Sequence, residues 1–162
     1  MTTVAIRPAT AMDSEAVAHV VRESWLASNR HLLPADTVRH LEHGDTMSRF
    51  AADQWQDIWV AEAQTSHASE IVGVVGLNPG GVIWMLYVLP GYQGCGVGSA
   101  LYDTAIGTLK QAGRSKAMLE VLAANENAVA FYRSRGWVPE GRRTEHIPGF
   151  RFTAMRMGLA LS

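Results

Sequence analysis

Residues 82–99 read VIWMLYVLPGYQGCGVGS. The run from Val82 to Leu89 is apolar and rich in β-branched and aromatic residues, which predicts a strand ending at Val88–Leu89. A turn with glycines at 94, 96 and 98 follows, and Val97, Leu101, Ala105 and Leu109 then recur at helical spacing up to Gly113. Strand, glycine-rich turn and helix in direct succession make an anion cradle. Bare glycines let backbone N–H groups approach a phosphate, and the helix N-terminus adds about 0.3–2 kcal/mol per charge.

Two known phosphate loops fit poorly. A Walker loop needs Gly-Lys-Ser/Thr, whereas Gly98 is followed by Ser99-Ala100. A dinucleotide fingerprint needs G-x-G-x-x-G, and here the third glycine comes one place early; Glu120 could mimic its ribose-binding acid, but too few strands follow for a second half of that fold.

Upstream, Val4-Ala-Ile6 before Pro8 reads as a short strand. Val17, Val20, Val21, Ser24 and Trp25 mark an amphipathic helix from Asp13 to about Ser28. Pro34 opens a second helix with a stripe of Val38, Leu41, Met47 and Phe50, interrupted at Gly44. Strands at 58–62 and 71–77 lead by short links into 82–89, an antiparallel meander. Downstream, 117–122 is a strand, Asn125 N-caps a helix through Arg135, and Trp137-Val138 and 150–157 supply two last strands. The order predicts an α/β (α+β) domain with a mixed sheet covered by helices, and a helical crossover from Val88 to Ala117 between parallel strands.

The chain has 162 residues, 48 % of them hydrophobic and 18 % charged, an ordinary globular balance that predicts one domain spanning 1–162. A net charge of −1 lacks the basic excess of a nucleic-acid binder. The halves differ: residues 1–81 carry 5 Lys+Arg against 10 Asp+Glu, and residues 82–162 carry 9 against 5, so a site between them can favour an anion on one side and a cation on the other. Cys95 is the single cysteine, which fits a reducing, cytoplasmic setting, and neither a signal peptide nor a membrane span is visible. The six histidines are scattered, and no metal site is expected.

The Gln93-Gly-Cys-Gly96-Val-Gly98 loop and a second pattern, Asn125-Glu-Asn-Ala128-Val-Ala-Phe131-Tyr132 with Gly136-Trp137, resemble the GNAT acetyltransferase superfamily, N-acetyltransferases that use acetyl-coenzyme A. The similarity is close over about residues 70–140 and loose over the first 60. It implies a mixed, mostly antiparallel central sheet of about seven strands flanked by about four helices. It also implies acetyl-CoA as co-substrate, with Leu86, Tyr87 and Val88 binding pantetheine and acetyl through backbone groups where the sheet splays. The N–H groups of Gln93, Gly94, Cys95, Gly96, Val97, Gly98 and Ser99 would hold the pyrophosphate. Direct transfer requires no cysteine nucleophile, so Cys95 serves through its backbone.

Asn125 has two compatible roles, an N-cap worth about 1 kcal/mol and an amide contact to the pantetheine arm. Tyr132, by family analogy, protonates the leaving thiolate; the other reading is a packed tyrosine with a satisfied hydroxyl. Val82–Leu89 contains no acid, so Glu120, twelve positions before Tyr132, is the substitute base. An ion pair of Glu120 with Arg133 or Arg143 is the competing reading. Trp25, Trp55, Trp59 and Trp84 either line an amine pocket or fill the core. His146 falls on a loop between the last two strands, and Arg142-Arg143 reads as a solvated pair.

The acceptor implied is a primary amine, either a small molecule or a protein N-terminus, and a homodimer is one option for assembly. The alternative functions are a non-catalytic acyl-CoA-binding or sensor domain and a nucleotide-cofactor oxidoreductase.

Overall fold

The computed structural model describes residues 2–43, 50, 53–147 and 149–162, with the side chain of Ile147 outside the description. Met47 of the expected second-helix stripe and Gly44, its expected interruption, lie outside the described residues. Strand β1 (Thr3–Pro8) is followed by helices α1 (Ser14–Asn29) and α2 (Ala35–His43), then by strands β2 (Ile58–Gln64), β3 (Ser69–Leu77) and β4 (Ile83–Val88). Helix α3 (Val97–Gln111), strand β5 (Lys116–Leu122) and helix α4 (Glu126–Arg133) come next, and strands β6 (Val138–Ile147) and β7 (Phe150–Ala160) close the chain.

The expected mixed architecture is present, with four α-helices and seven strands among the described residues. The strands form two antiparallel sheets, ordered β1-β2-β3-β4 and β5-β7-β6. They meet at one parallel bridge, Val82 to Met118, where the Met118 N–H donates to Gly81 O at 2.9 Å. Gly81 has φ +101°, and a Cβ there would stand 2.8 Å from Lys116 O, so only glycine permits this approach. Beyond the bridge no ladder joins β4 to β5, and a gap opens between the sheets.

Every β3 residue from Ile71 to Leu77 is buried, which requires cover on both faces. Helix α1 packs on β3 and β4 through Val17 and Val20, while α3 lies across β1–β4. The predicted α3 stripe of Val97, Leu101, Ala105 and Leu109 is fully inside. A Cβ on Gly73 would come within 2.8 Å of Leu101 Cδ1, so this glycine sets how closely α3 sits on the sheet.

One expectation is corrected. The Trp137-Val138 strand extends through Ile147 as β6, and His146 stands on it opposite Arg151, not on a connecting loop. The sequence VPEGRRTEHI has little strand propensity, but β6 is an edge strand, where Pro139, a bulge at Pro139/Gly141 and a row of charges are tolerated.

Candidate active site

The glycine-rich turn begins where β4 ends. The Leu89 N–H donates to Val72 O at 2.8 Å, and Tyr87 stands opposite Val74. By antiparallel alternation, the main-chain groups of Leu86 and Val88 therefore point away from β3, into the gap before β5. Tyr87 differs from its neighbours, since its own main chain faces β3. The Gln93 side-chain amide donates back to Val88 O at 3.2 Å and folds the turn against the strand end.

Gly94 and Gly96 have φ of +77° and +86°, and a Cβ on either would meet no atom within 4 Å. Conformation demands glycine there, and the space in front of it is open. Gly96 is the N-cap of α3 and supplies no capping side chain, so the N–H groups of Val97, Gly98 and Ser99 start the helix without an intrahelical acceptor. Val97 itself turns into the core, and exposed Cys95 directs its thiol at Gln93 O, 3.7 Å away. Neither side chain lines the cavity that the turn borders.

That cavity measures about 820 Å³ and runs between the turn, the end of β4, the end of α1 and the face of α4 that carries Ala128, Phe131 and Tyr132. A second, of about 330 Å³, occupies the gap between the sheets, with Trp25, Trp84, Glu120 and Phe152 in its wall. Leu86, Asn125, Ala128 and Tyr132 belong to both walls. A cleft bordered by unpaired N–H groups and an aromatic, acid-containing pocket thus meet at these four residues, Tyr132 among them.

Asn125 is the N-cap expected: its Oδ1 accepts from the Ala128 N–H at 3.2 Å. Its Nδ2 donates to Oδ1 of buried Asn29 at 3.5 Å, and Asn29 donates in turn to Trp25 O at 2.9 Å. Tyr132 is 9 % exposed and packs edge-on against Phe131 and Trp137. Its hydroxyl makes no hydrogen bond among the described residues. Burial pushes its pKa up, reinforced by Tyr87 and Tyr102 and opposed by Arg135, so the phenol is protonated at neutral pH. Burial likewise raises Tyr87, to about 12.

Glu120 forms the ion pair that competes with its role as base. Arg143 Nε and Nη2 both reach Glu120 Oε2, at 2.9 and 2.7 Å, and Arg143 Nη1 reaches Glu145 Oε1 at 2.7 Å. Oε1 of Glu120 keeps no protein donor among the described residues. Of the four tryptophans considered, Trp25 and Trp84 line the second cavity, while Trp55 and Trp59 pack against the core.

Arg135 escaped the sequence reading. Its guanidinium lies 3.6 Å from the Phe131 ring centroid and donates to Ser99 Oγ at 2.9 Å, placing a cation beside the first turn of α3. The only local hint was a cation one helical turn beyond Phe131. Asn29 was missed too, because an asparagine late in an amphipathic helix signals nothing until α4 is brought against it.

A GCN5-related N-acetyltransferase from Rhodopseudomonas palustris superposes with a TM-score of 0.81 at 23 % identity, covering 98 % of this chain and 96 % of its own. PaiA N-acetyltransferase from Thermoplasma acidophilum, solved in complex with coenzyme A, gives 0.71 at 19 %, with 98 % and 99 % covered. The ribosomal-protein-S18-alanine N-acetyltransferase from Escherichia coli gives 0.69 at 22 %, with 100 % and 95 % covered. At these identities the likeness is one of fold. No curated protein sequence matches significantly. The family model described as acetyltransferase (GNAT) family matches residues 19–137, a span holding both the glycine-rich turn and Tyr132, and the chain belongs to that family.

Proposed function

We propose that the protein transfers the acetyl group of acetyl-CoA to a primary amine by direct attack in a ternary complex. The observation that carries this is the meeting of the two cavities at Tyr132, with an anion cradle at the far end of one and carboxylates in the other. PaiA, of the same fold, was solved with coenzyme A, which supports the same occupant here.

The open N–H groups from Gly94 to Ser99 hold the pyrophosphate, and the helix dipole adds to their attraction, whereas the Gln93 N–H expected to join them donates to Pro90 O at 3.4 Å. The unladdered groups of Leu86 and Val88 pair with the amides of the pantetheine arm as a neighbouring strand would. This seats the thioester where the cavities join and leaves one open approach, from the gap between the sheets.

The amine attacks as the neutral base. Glu120 Oε1, or a water it orients, accepts the ammonium proton; the nitrogen forms a bond to the acetyl carbon; the carbon–sulfur bond breaks and Tyr132 protonates the departing sulfur, while the second proton, shed by the acylated nitrogen, returns through solvent to the Tyr132 phenolate. Backbone N–H groups at the splayed edge stabilise the oxygen that becomes negative in between.

Calorimetry with acetyl-CoA, CoA and NAD, followed by free-thiol release across a panel of amines, tests the reading. Micromolar acetyl-CoA binding with amine-dependent thiol release is expected. No CoA binding would overturn it.

A further inference from the structure

Resting on the transferase reading, the second cavity also specifies its occupant. At about 330 Å³ it lies at the small end of the roughly 300–1,000 Å³ typical of small-molecule sites. Besides Tyr87 and Tyr132, the polar residues of its walls are the two asparagines on the α1–α4 side and one charged cluster, Glu120, Arg143 and Glu145.

The aromatic wall is seated on the sheet. A Cβ on Gly76 would stand 2.5–2.9 Å from the Trp84 ring, so the glycine on β3 is what lets that indole lie down on the sheet. Phe50 meets Trp84 edge-on at 5.0 Å. Phe152, on β7, stacks with Phe150 at 6.1 Å, and Trp25 of α1 adds a further ring to the lining. Such a box favours a flat apolar body, and its ring faces attract a cation.

The charged cluster decides what that body carries. All three nitrogens of the Arg143 guanidinium are engaged, by Glu120 on one side and Glu145 on the other. Two carboxylates against one guanidinium leave the pocket net negative. An ammonium is complemented there, whereas a substrate carboxylate would face two like charges and find the one cation of the lining already occupied; Arg156, the register partner of Glu120 on β7, lies outside the lining with its Nη2 3.8 Å from Met118 Sδ.

We propose that the acceptor is a small primary amine with one aromatic body, a single positive charge and no carboxylate. That excludes amino acids, extended polyamines and peptide N-termini as preferred substrates.

The test compares 2-phenylethylamine with phenylalanine, 1,4-diaminobutane and a tripeptide beginning with phenylalanine. Thiol release gives kcat/KM, and tryptophan fluorescence in the presence of CoA gives binding without turnover. The expected result is a kcat/KM for 2-phenylethylamine at least about tenfold above each of the others, equivalent to 1.4 kcal/mol. Tighter binding by the same amine should accompany it. Glu145→Gln should weaken 2-phenylethylamine several-fold and narrow its lead over phenylalanine.

Equal or better use of phenylalanine, diaminobutane or the peptide overturns the acceptor class and leaves the transferase standing. Selective binding of 2-phenylethylamine without thiol release upholds the class and overturns the transferase. Failure of 2-phenylethylamine to bind a CoA-loaded protein overturns the class.

Discussion

Trp137 Nε1 donates to the Tyr102 hydroxyl at 2.9 Å inside the core, and this bond divides the labour of two tyrosines in one aromatic cluster. Tyr102 satisfies a buried indole, while Tyr132, edge-on to the same Trp137 ring, keeps its hydroxyl toward the cavities. Tyr102→Phe should lower stability by about 1–3 kcal/mol, because it strands a buried N–H. It should leave kcat nearly unchanged. Tyr132→Phe should do the reverse, lowering kcat by about a hundredfold with little change in acetyl-CoA affinity or stability. Thermal melts and steady-state kinetics on the two variants check the exchange; equal turnover by Tyr132→Phe and wild type would remove Tyr132 from the acid role.

The proton on Tyr132 also sets a pH limit. Burial raises its pKa above the ordinary 10.0; in the proposed acid role the protonated form is the active one, so activity that depends on it is lost only as pH rises past that raised value. The kcat profile of the wild type should therefore show no alkaline fall up to about pH 9.5. A fall beginning near pH 8 would point to a different acid.

Glu120 and Arg143 stand on β5 and β6, with β7 between them, and Arg143 crosses over the strand at Ala154, its register partner, whose small side chain leaves room. If Glu120 takes the amine proton, Glu120→Gln must change how kcat depends on pH, not only its size. At saturating amine the wild type should be nearly flat from about pH 7 to 8.5, whereas the variant should climb with pH, following deprotonation of the bound ammonium itself. Parallel profiles would assign the proton to water and leave Glu120 as the partner of Arg143.

How far these features were legible depends on their range in the chain. The turn glycines, the α3 stripe and the Asn125 cap are local patterns, and each stands where its spacing put it. The partner of Glu120 was open between Arg133 and Arg143 because only the β5-β7-β6 order brings Arg143 over the pocket, leaving Arg133 exposed on α4. The same holds for Arg135 and Ser99, 36 residues apart. Strand β6 was underestimated because its polar sequence becomes a strand only through pairing with β7, a tertiary effect that outweighs propensity.

Asp13 joins the first strand to the first helix. It accepts from Arg7 at 2.9 Å and from the Thr10 N–H at 2.8 Å, and Arg7 also reaches Glu62 on β2. Arg7 holds the Asp13 carboxyl below its ordinary 3.8, so its contribution to stability is present above the unfolded-state value and is lost as pH falls through the depressed one. Asp13→Asn should cost about 1–2 kcal/mol at pH 7. The gap to wild type should shrink below about pH 4 in urea titrations. A constant gap from pH 7 to 3 would show that the carboxylate charge is not what matters.

Gly96 and Gly98 stand two residues apart in the same turn, yet substitution should separate folding from binding. Gly96 sits in the left-handed region at φ +86°, where a side chain strains the backbone by about 1–2 kcal/mol, so Gly96→Ala should lower the melting temperature. Gly98 is inside the first turn of α3 without a positive φ, and a Cβ there would meet only Val88 Cγ2, at an ordinary 3.7 Å. The protein therefore has no steric reason of its own for glycine, and alanine should hold or raise stability by up to about 1 kcal/mol through helix propensity. On the proposed reading, the reason lies with what approaches the backbone from the cavity. A methyl group there displaces a phosphate from N–H donors worth about 1.5–3 kcal/mol each, so Gly98→Ala should weaken acetyl-CoA binding at least about tenfold. Calorimetry alongside a thermal melt reads both quantities, and undiminished affinity in a well-folded Gly98→Ala would move the pyrophosphate away from this turn.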